Sequence, residues 1–142
     1  MKRLRSLTAF LAMLSLVRST AWGGPGENEP LTNADIHPVN VEPMQYPLAG
    51  QLRQVQGIVV VRVHLNRAGA VESAEVLVGP SLLFGEAIEN AKRWTFKPNR
   101  TSTAILIYDF RIEDACHLPC KSYSSFRAPN VLVIRTGTPL IR

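Results

Sequence analysis

The stretch Gly57 to Leu65 is dominated by β-branched residues, with Val59, Val61, Val63 and Leu65 on one face and Arg62 and His64 on the other. That alternation predicts a strand with one buried face. Asn66-Arg67-Ala68-Gly69 then supplies a short turn with a glycine able to take positive φ. A second strand follows from Ala70 to Val78, in which Ala74, Val76 and Val78 alternate with Ser73, Glu75 and Leu77, so the pair reads as a hairpin. Gly79-Pro80 ends it, and Ser81 is placed to cap a helix. Phe84, Ala87, Ile88, Ala91 and Trp94 recur at helical spacing, with Glu86 and Glu89 early and Lys92 and Arg93 late, as the helix dipole favours. Lys97-Pro98 stops that helix. Ala104 to Ile112 alternates again, Ala104, Leu106, Tyr108, Phe110 and Ile112 against Asp109 and Arg111. Tyr46-Pro47-Leu48-Ala49 with Leu52 and Val55 predicts a short first helix, and Val131 to Ile134 a last short strand. The order α-β-β-α-β plus a C-terminal strand predicts an α+β fold: an antiparallel three- to four-stranded sheet with one main helix packed on it.

The 142 residues suit one domain, and 46% are hydrophobic while 19% are charged, which excludes a disordered charged tail. The formal charge of +5 is misleading, because four of the sixteen basic residues (Lys2, Arg3, Arg5 and Arg18) and no acidic one lie in the first 18 positions. Without that segment the balance falls to +1, with no basic stripe of the kind that nucleic acid requires. Nucleic acid is therefore not an expected partner. Lys2, Arg3 and Arg5 precede an apolar core from Leu7 to Val17, and Ser19-Thr20-Ala21 and Ala21-Trp22-Gly23 are small-x-small cleavage candidates. The uncharged run between Arg5 and Arg18 is 12 residues long, short of the roughly 20 that span a membrane. Residues 1–21 thus read as an export signal, with a retained short signal anchor as the alternative. The expected location is the periplasm, or the inner membrane facing it, with membrane contact only if the segment is retained. Residues 22–43, carrying Pro25, Pro30, Pro38 and Pro43 among three glycines, read as a linker. Residues 44–112 form the domain, and 113–142 an extension.

Candidate chemistry is sparse. His37, His64 and His117 fall on the linker, a strand and the cysteine loop, with no carboxylate placed to orient one, and no phosphate loop, nucleophile elbow or metal-ligand helix is present. A non-enzymatic protein without cofactor is expected. Cys116 and Cys120 are the only cysteines; in an oxidising compartment such a pair most simply forms a disulfide. A metal site from Cys116, His117 and Cys120, or thiol redox chemistry, is the alternative. Zinc would want a fourth ligand, and three intervening residues do not make C-x-x-C.

Gln45-Tyr46-Pro47, then Ala49, Leu52, Gly57, Val59, Val61, Gly69 with Val71, Val76, Ala87, Ala91 and Arg93-Trp94-x-Phe96-x-Pro98, in this order, resemble the C-terminal domain of TonB, the bacterial energy transducer. The resemblance covers about residues 42 to 112, nearest to small stand-alone proteins that carry this domain. It implies a periplasmic interaction module that grips the TonB-box peptide of an outer-membrane receptor for nutrients such as iron chelates, or another envelope protein. In that family the peptide adds a strand to the exposed edge of the third strand. Carried over, the contact motif falls on Gln45, Tyr46 and Pro47, and the pairing strand on about Ile105 to Arg111, with Ile105, Ile107, Asp109 and Arg111 as candidates. A second reading of Tyr46-Pro47 is helix-start punctuation with the ring packed on the sheet. Trp94, Phe96 and Pro98 read as closing the helix over the core.

The chain departs from full transducers in its short apolar run and its four-proline lead-in, which puts coupling to a motor in doubt. The second departure is the extension. If Val131 to Ile134 pairs with the third strand, it covers the edge that a TonB box needs, and either gates or abolishes binding. The alternative function is then a structural envelope protein of the same fold. Exposed sheet edges also allow a homodimer.

Overall fold

The structure, a computed structural model, describes residues 36–98 and 102–140. The expected export signal and most of the expected linker lie outside the described residues. No helix among the described residues is long and apolar enough to cross a membrane.

The elements run β1 (Pro38–Asn40), α1 (Leu48–Leu52), β2 (Gly57–Leu65), β3 (Val71–Val78), a 3-10 turn (Ser81–Leu83), α2 (Phe84–Ala91), β4 (Thr95–Phe96), β5 (Thr103–Cys116), β6 (Ser122–Arg127) and β7 (Val131–Pro139). Five strands form one sheet in the order β3-β2-β5-β7-β6, and β1 pairs with β4 in a small second one. The expected hairpin is present. Asn66 Oδ1 accepts from the backbone N–H groups of Ala68 and Ala70, both at 3.0 Å, and closes its turn. Gly69 has φ +86°, and a Cβ there would overlap the Phe96 carbonyl, so both the turn and the approach of β4 need glycine.

The buried core lies between this sheet and the helices. Val59, Val61, Val63, Leu65, Ala104, Leu106, Tyr108, Phe110, Leu132 and Ile134 supply the sheet side, and Leu83, Ala87, Ala91, Trp94 and Tyr46 the other. The opposite face of the sheet carries Val60, Ile107 and Val131 in one row across three strands.

Several expectations change. The sheet is mixed and five-stranded rather than antiparallel with three or four strands, because β7 pairs parallel with β5 from Ile107↔Val131 to Cys116↔Pro139. A parallel neighbour requires a long return, and the chain makes it through β6, which pairs antiparallel with β7. Val78 does not face the core: the register slips between Val60↔Val78 and Val61↔Val76, a bulge at Leu77 that turns Val78 outward to 61% exposure. Ser81 caps no helix with its side chain; it opens the 3-10 turn that leads into α2, and α2 ends at Ala91 rather than at Lys97-Pro98, because Thr95–Phe96 leaves the helix to pair as β4. The packed chain also reaches back before the expected boundary at 44. Ile36 is buried, and Lys97 N–H bonds the His37 carbonyl at 2.9 Å.

Candidate functional site

Tyr46 is a core residue, 4% exposed, with its ring edge-on to Phe110 at 5.4 Å and its hydroxyl donating to the Val55 carbonyl at 2.6 Å. Its neighbour Gln45 is exposed and Pro47 half-buried. The backbone around them is held by hydroxyls from the extension: Met44 N–H donates to Ser124 Oγ and Tyr46 N–H to Ser122 Oγ, each at 3.1 Å. Gln51 at the end of α1 is buried and donates to Thr136 Oγ1 of β7 at 3.1 Å. The segment Met44–Leu52 is thus fastened to β6 and β7, residues that sequence reasoning assigned to an appended tail.

Burial pushes the Tyr46 phenol from 10.0 up to about 12. A folded value above the unfolded one means that its contribution is complete below about pH 10 and is lost as the pH rises through 12. Burial raises Tyr108 in the same direction, and the hydrogen bond to Glu113 raises Tyr123. We expect the urea midpoint to hold up to about pH 10 and then to fall. Tyr46→Phe should cost about 1 kcal/mol at neutral pH and shallow that alkaline slope. A midpoint that is flat to pH 12 in the unsubstituted chain contradicts this account.

The expected pairing strand is central. Ile105, Ile107, Asp109 and Arg111 lie on β5, where Arg62, Val60 and Ile58 oppose Ile105, Ile107 and Asp109 from β2, and Val131, Val133 and Arg135 oppose Ile107, Asp109 and Arg111 from β7. Ile107 N–H already bonds the Asn130 carbonyl at 3.0 Å, and the Asn130 side-chain amide donates to the Ile105 carbonyl. Ile105 is buried, while Asp109 and Arg111 bond each other, Nε to Oδ2 at 2.9 Å. The structure therefore does not bring Gln45, Tyr46 and Pro47 together with a free β5 edge. Among the described residues, the outer strands of the sheet, paired on one side, are β3 and β6.

Cys116 and Cys120 are joined by a disulfide, with Cα atoms 5.6 Å apart, at the reversal from β5 to β6. A cleft of about 380 Å³ beside them is lined by Glu113, Asp114, His117, Lys121 and Tyr123 among others. Among the described residues no three of His, Cys, Asp and Glu come together to hold a metal. One carboxylate does lie near a histidine, contrary to expectation: Glu75 Oε1 is 3.9 Å from His64 Nε2 across the β2–β3 pair. That distance is too long for a hydrogen bond, and the same oxygen accepts from Arg62 at 3.1 Å. The pair is a solvated surface feature.

Sequence reasoning missed Asn90. It is 5% exposed on α2, accepts at Oδ1 from Trp94 Nε1 at 2.9 Å and the Tyr108 hydroxyl at 3.1 Å, and donates from Nδ2 to the Glu42 carbonyl at 3.0 Å. The available signal was its spacing, three residues after Ala87 and four before Trp94, on the stripe that packs on the sheet.

The family model for the Gram-negative bacterial TonB protein C-terminal matches residues 42–112. The chain is 29% identical over 91 residues to protein TonB of Pseudomonas aeruginosa, covering 58% of this chain and 27% of that protein. It therefore spans about a quarter of the length of that relative. The solution NMR structure of the Pseudomonas aeruginosa TonB CTD is similar at 30% identity and a TM-score of 0.47, over 59% of this chain and 93% of that one.

Proposed function

Because this chain belongs to the Gram-negative bacterial TonB C-terminal family, we propose that it is a non-enzymatic interaction module of the periplasm. In this reading it takes up the TonB-box peptide of an outer-membrane receptor by strand addition and so supports transport of nutrients such as iron chelates across the envelope. The observation that carries the reading is the matched segment itself, Met44 to Pro47, held against a sheet whose outer strands β3 and β6 each pair, among the described residues, on one side only. Main-chain groups at such an edge supply affinity, and alternate side chains supply specificity. The protein reaches the periplasm by an export signal over residues 1–21, or stays anchored there by it.

A peptide that uses Ile105, Ile107, Asp109 and Arg111 of β5 must first displace β7. That ladder favours a second reading, a structural envelope protein whose third strand is permanently covered. Backbone amide shifts during titration of the purified chain with a TonB-box peptide separate the two. The peptide-binding reading expects shifts at Gln45 and along one contiguous strand edge. Unchanged spectra, with slow amide exchange from Ile105 to Arg111, would favour the structural reading.

A further inference from the structure

We propose that the outer edge of β6, built wholly by the extension beyond the family domain, is a strand-addition site for an extended peptide with acidic residues at both ends. The inference rests on the peptide-binding reading above and moves its site away from β5.

The direction of the main-chain groups follows from one hydrogen bond. Ile107 opposes Val131 in the parallel ladder, and its N–H bonds the Asn130 carbonyl, so the even-numbered residues of β7 point their main-chain groups at β5. The odd-numbered ones, Val131, Val133 and Arg135, point at β6, where they oppose Arg127, Ser125 and Tyr123. The N–H and C=O groups of Ser122, Ser124 and Phe126 are left directed out of the sheet. Among the described residues β6 pairs with no strand except β7.

This edge is ordered in advance. The Tyr123 hydroxyl donates to Glu113 Oε2 at 3.0 Å, Arg135 Nε pairs with Glu113 Oε1 at 2.9 Å, and Arg135 Nη1 donates to Ser125 Oγ at 3.2 Å. On the other face the Phe126 ring stands edge-on to Trp94 at 6.0 Å. A partner would therefore lose little affinity to ordering the receiving strand. Met44 N–H donates to Ser124 Oγ and Tyr46 N–H to Ser122 Oγ, so the segment around Gln45 runs antiparallel to β6, and Gln45 itself is exposed. The two recognition elements that the family resemblance implies, the Gln45–Pro47 segment and a free strand edge, meet at β6.

Charge selects the peptide. Lys121 and Arg127 bracket the strand with no acidic residue between them, about 20 Å apart at roughly 3.3 Å per residue; of the two carboxylates that share the cleft with Lys121, Glu113 and Asp114, Glu113 is paired with Arg135. The opposite edge, β3, carries no basic residue and holds Glu72 besides Glu75, which pairs with Arg62. A segment with acidic ends is therefore favoured at β6.

The test titrates the isotope-labelled full chain with the synthetic heptapeptide Asp-Val-Thr-Val-Thr-Val-Asp, and with its counterpart bearing lysine at both ends. The expected result is binding of the acidic peptide alone, with amide protection gained at Ser122, Ser124 and Phe126. Ser124→Pro removes an outward N–H without breaking a ladder bond, and should weaken binding more than tenfold. Ser124→Ala keeps that N–H, losing only the oxygen that Met44 uses, and should bind within about twofold of the unsubstituted chain. Reversing both charges, Lys121→Glu with Arg127→Glu, should cost about tenfold and decides the matter if Ser124→Pro does not fold. Binding with protection on β3 or β5, equal affinity of folded Ser124→Pro and Ser124→Ala, or self-association that the peptide leaves unchanged would overturn the β6 assignment while leaving the peptide-binding reading intact. Failure of both this peptide and a TonB-box peptide to bind would overturn that reading as well.

Discussion

A chain that ends at Ala128 is expected to be unfolded, not opened for binding. β7 is the fourth strand of five, and removing it strips β5 of one neighbour and β6 of the only one it has among the described residues. Leu132 and Ile134 face the core and Val133 the other face, all but fully buried. Burying each contributes about 1.5–3 kcal/mol, so their loss is of the order of the whole stability of a small domain. Polar losses add to this: Gln51 loses Thr136, and the Asn130 bonds to Ile105 and Ile107 disappear. Circular dichroism with urea titration checks the outcome. We expect no cooperative transition in the truncated chain, and Ile134→Ala alone should lower stability by about 2–4 kcal/mol. A truncated chain that folds with an unchanged midpoint, and takes up peptide along Ile105 to Arg111, would show that the extension is a detachable gate.

Had β7 been an appended flap at the margin of the sheet, gating would have been the natural reading of the tail. The sequence suggested such a flap, and the reason lies in β6. Ser122-Tyr123-Ser124-Ser125-Phe126-Arg127 places one apolar residue, Phe126, on its inner face, so neither alternation nor a hydrophobic run marks it as a strand. Its other inner-face residues are serines whose oxygens accept from Met44 and Tyr46, about 80 positions earlier in the chain. No local pattern encodes a partner at that distance. Without β6, Val131 to Ile134 reads as a short terminal strand. With it, the chain returns far enough to lay β7 parallel to β5 and extend it to Pro139. Where the pattern is local the reading holds. The Val59–Leu65 face is buried as expected, and of the stripe Phe84, Ala87, Ile88, Ala91 and Trp94 the members Ala87, Ala91 and Trp94 are fully buried and Phe84 and Ile88 half-buried. The Val78 bulge fails for the opposite reason: alternation continues through a position where one residue slips the register.

The same limit applied to the candidate site. Gln45, Tyr46 and Pro47 were legible as a unit, and of the two readings of Tyr46 the ring packed on the sheet is the one the structure bears out; what no local pattern showed is that serines of β6 hold this segment. The extension thus replaces the β5 edge by another, two strands further out. Every strand added to a sheet satisfies one edge and creates the next. Whether a partner peptide can be accepted therefore depends on the composition of the last strand, here free of acidic residues.

Asn90→Leu is expected to destabilise the chain by about 3–5 kcal/mol although it adds apolar surface to an apolar site. The side chain is the polar hub between α2 and the sheet. Its oxygen satisfies both the Trp94 N–H and the Tyr108 hydroxyl, and its amide satisfies the Glu42 carbonyl, with the Pro43 carbonyl at 3.4 Å. Leucine fills the space but leaves the buried Trp94 N–H and Tyr108 hydroxyl without that partner, each at about 1–3 kcal/mol, and releases the part-buried Glu42 carbonyl. Urea denaturation measures the loss. A cycle with Tyr108→Phe assigns it, because removing the hydroxyl should recover part of the cost in the Asn90→Leu chain and none in the unsubstituted one. Destabilisation below about 1 kcal/mol would mean that the interface relaxes to re-pair these groups elsewhere. The consequence for binding follows from Glu42 and Pro43, which lie just before Met44 and anchor the segment that runs over β6. If the anchor holds that segment in place, a folded Asn90→Leu chain should show its largest amide shifts outside α2 at Met44 to Tyr46, and should bind peptide more weakly than Ser124→Ala. One asparagine on the buried side of the helix would then set both the strength of the fold and the position of its recognition segment.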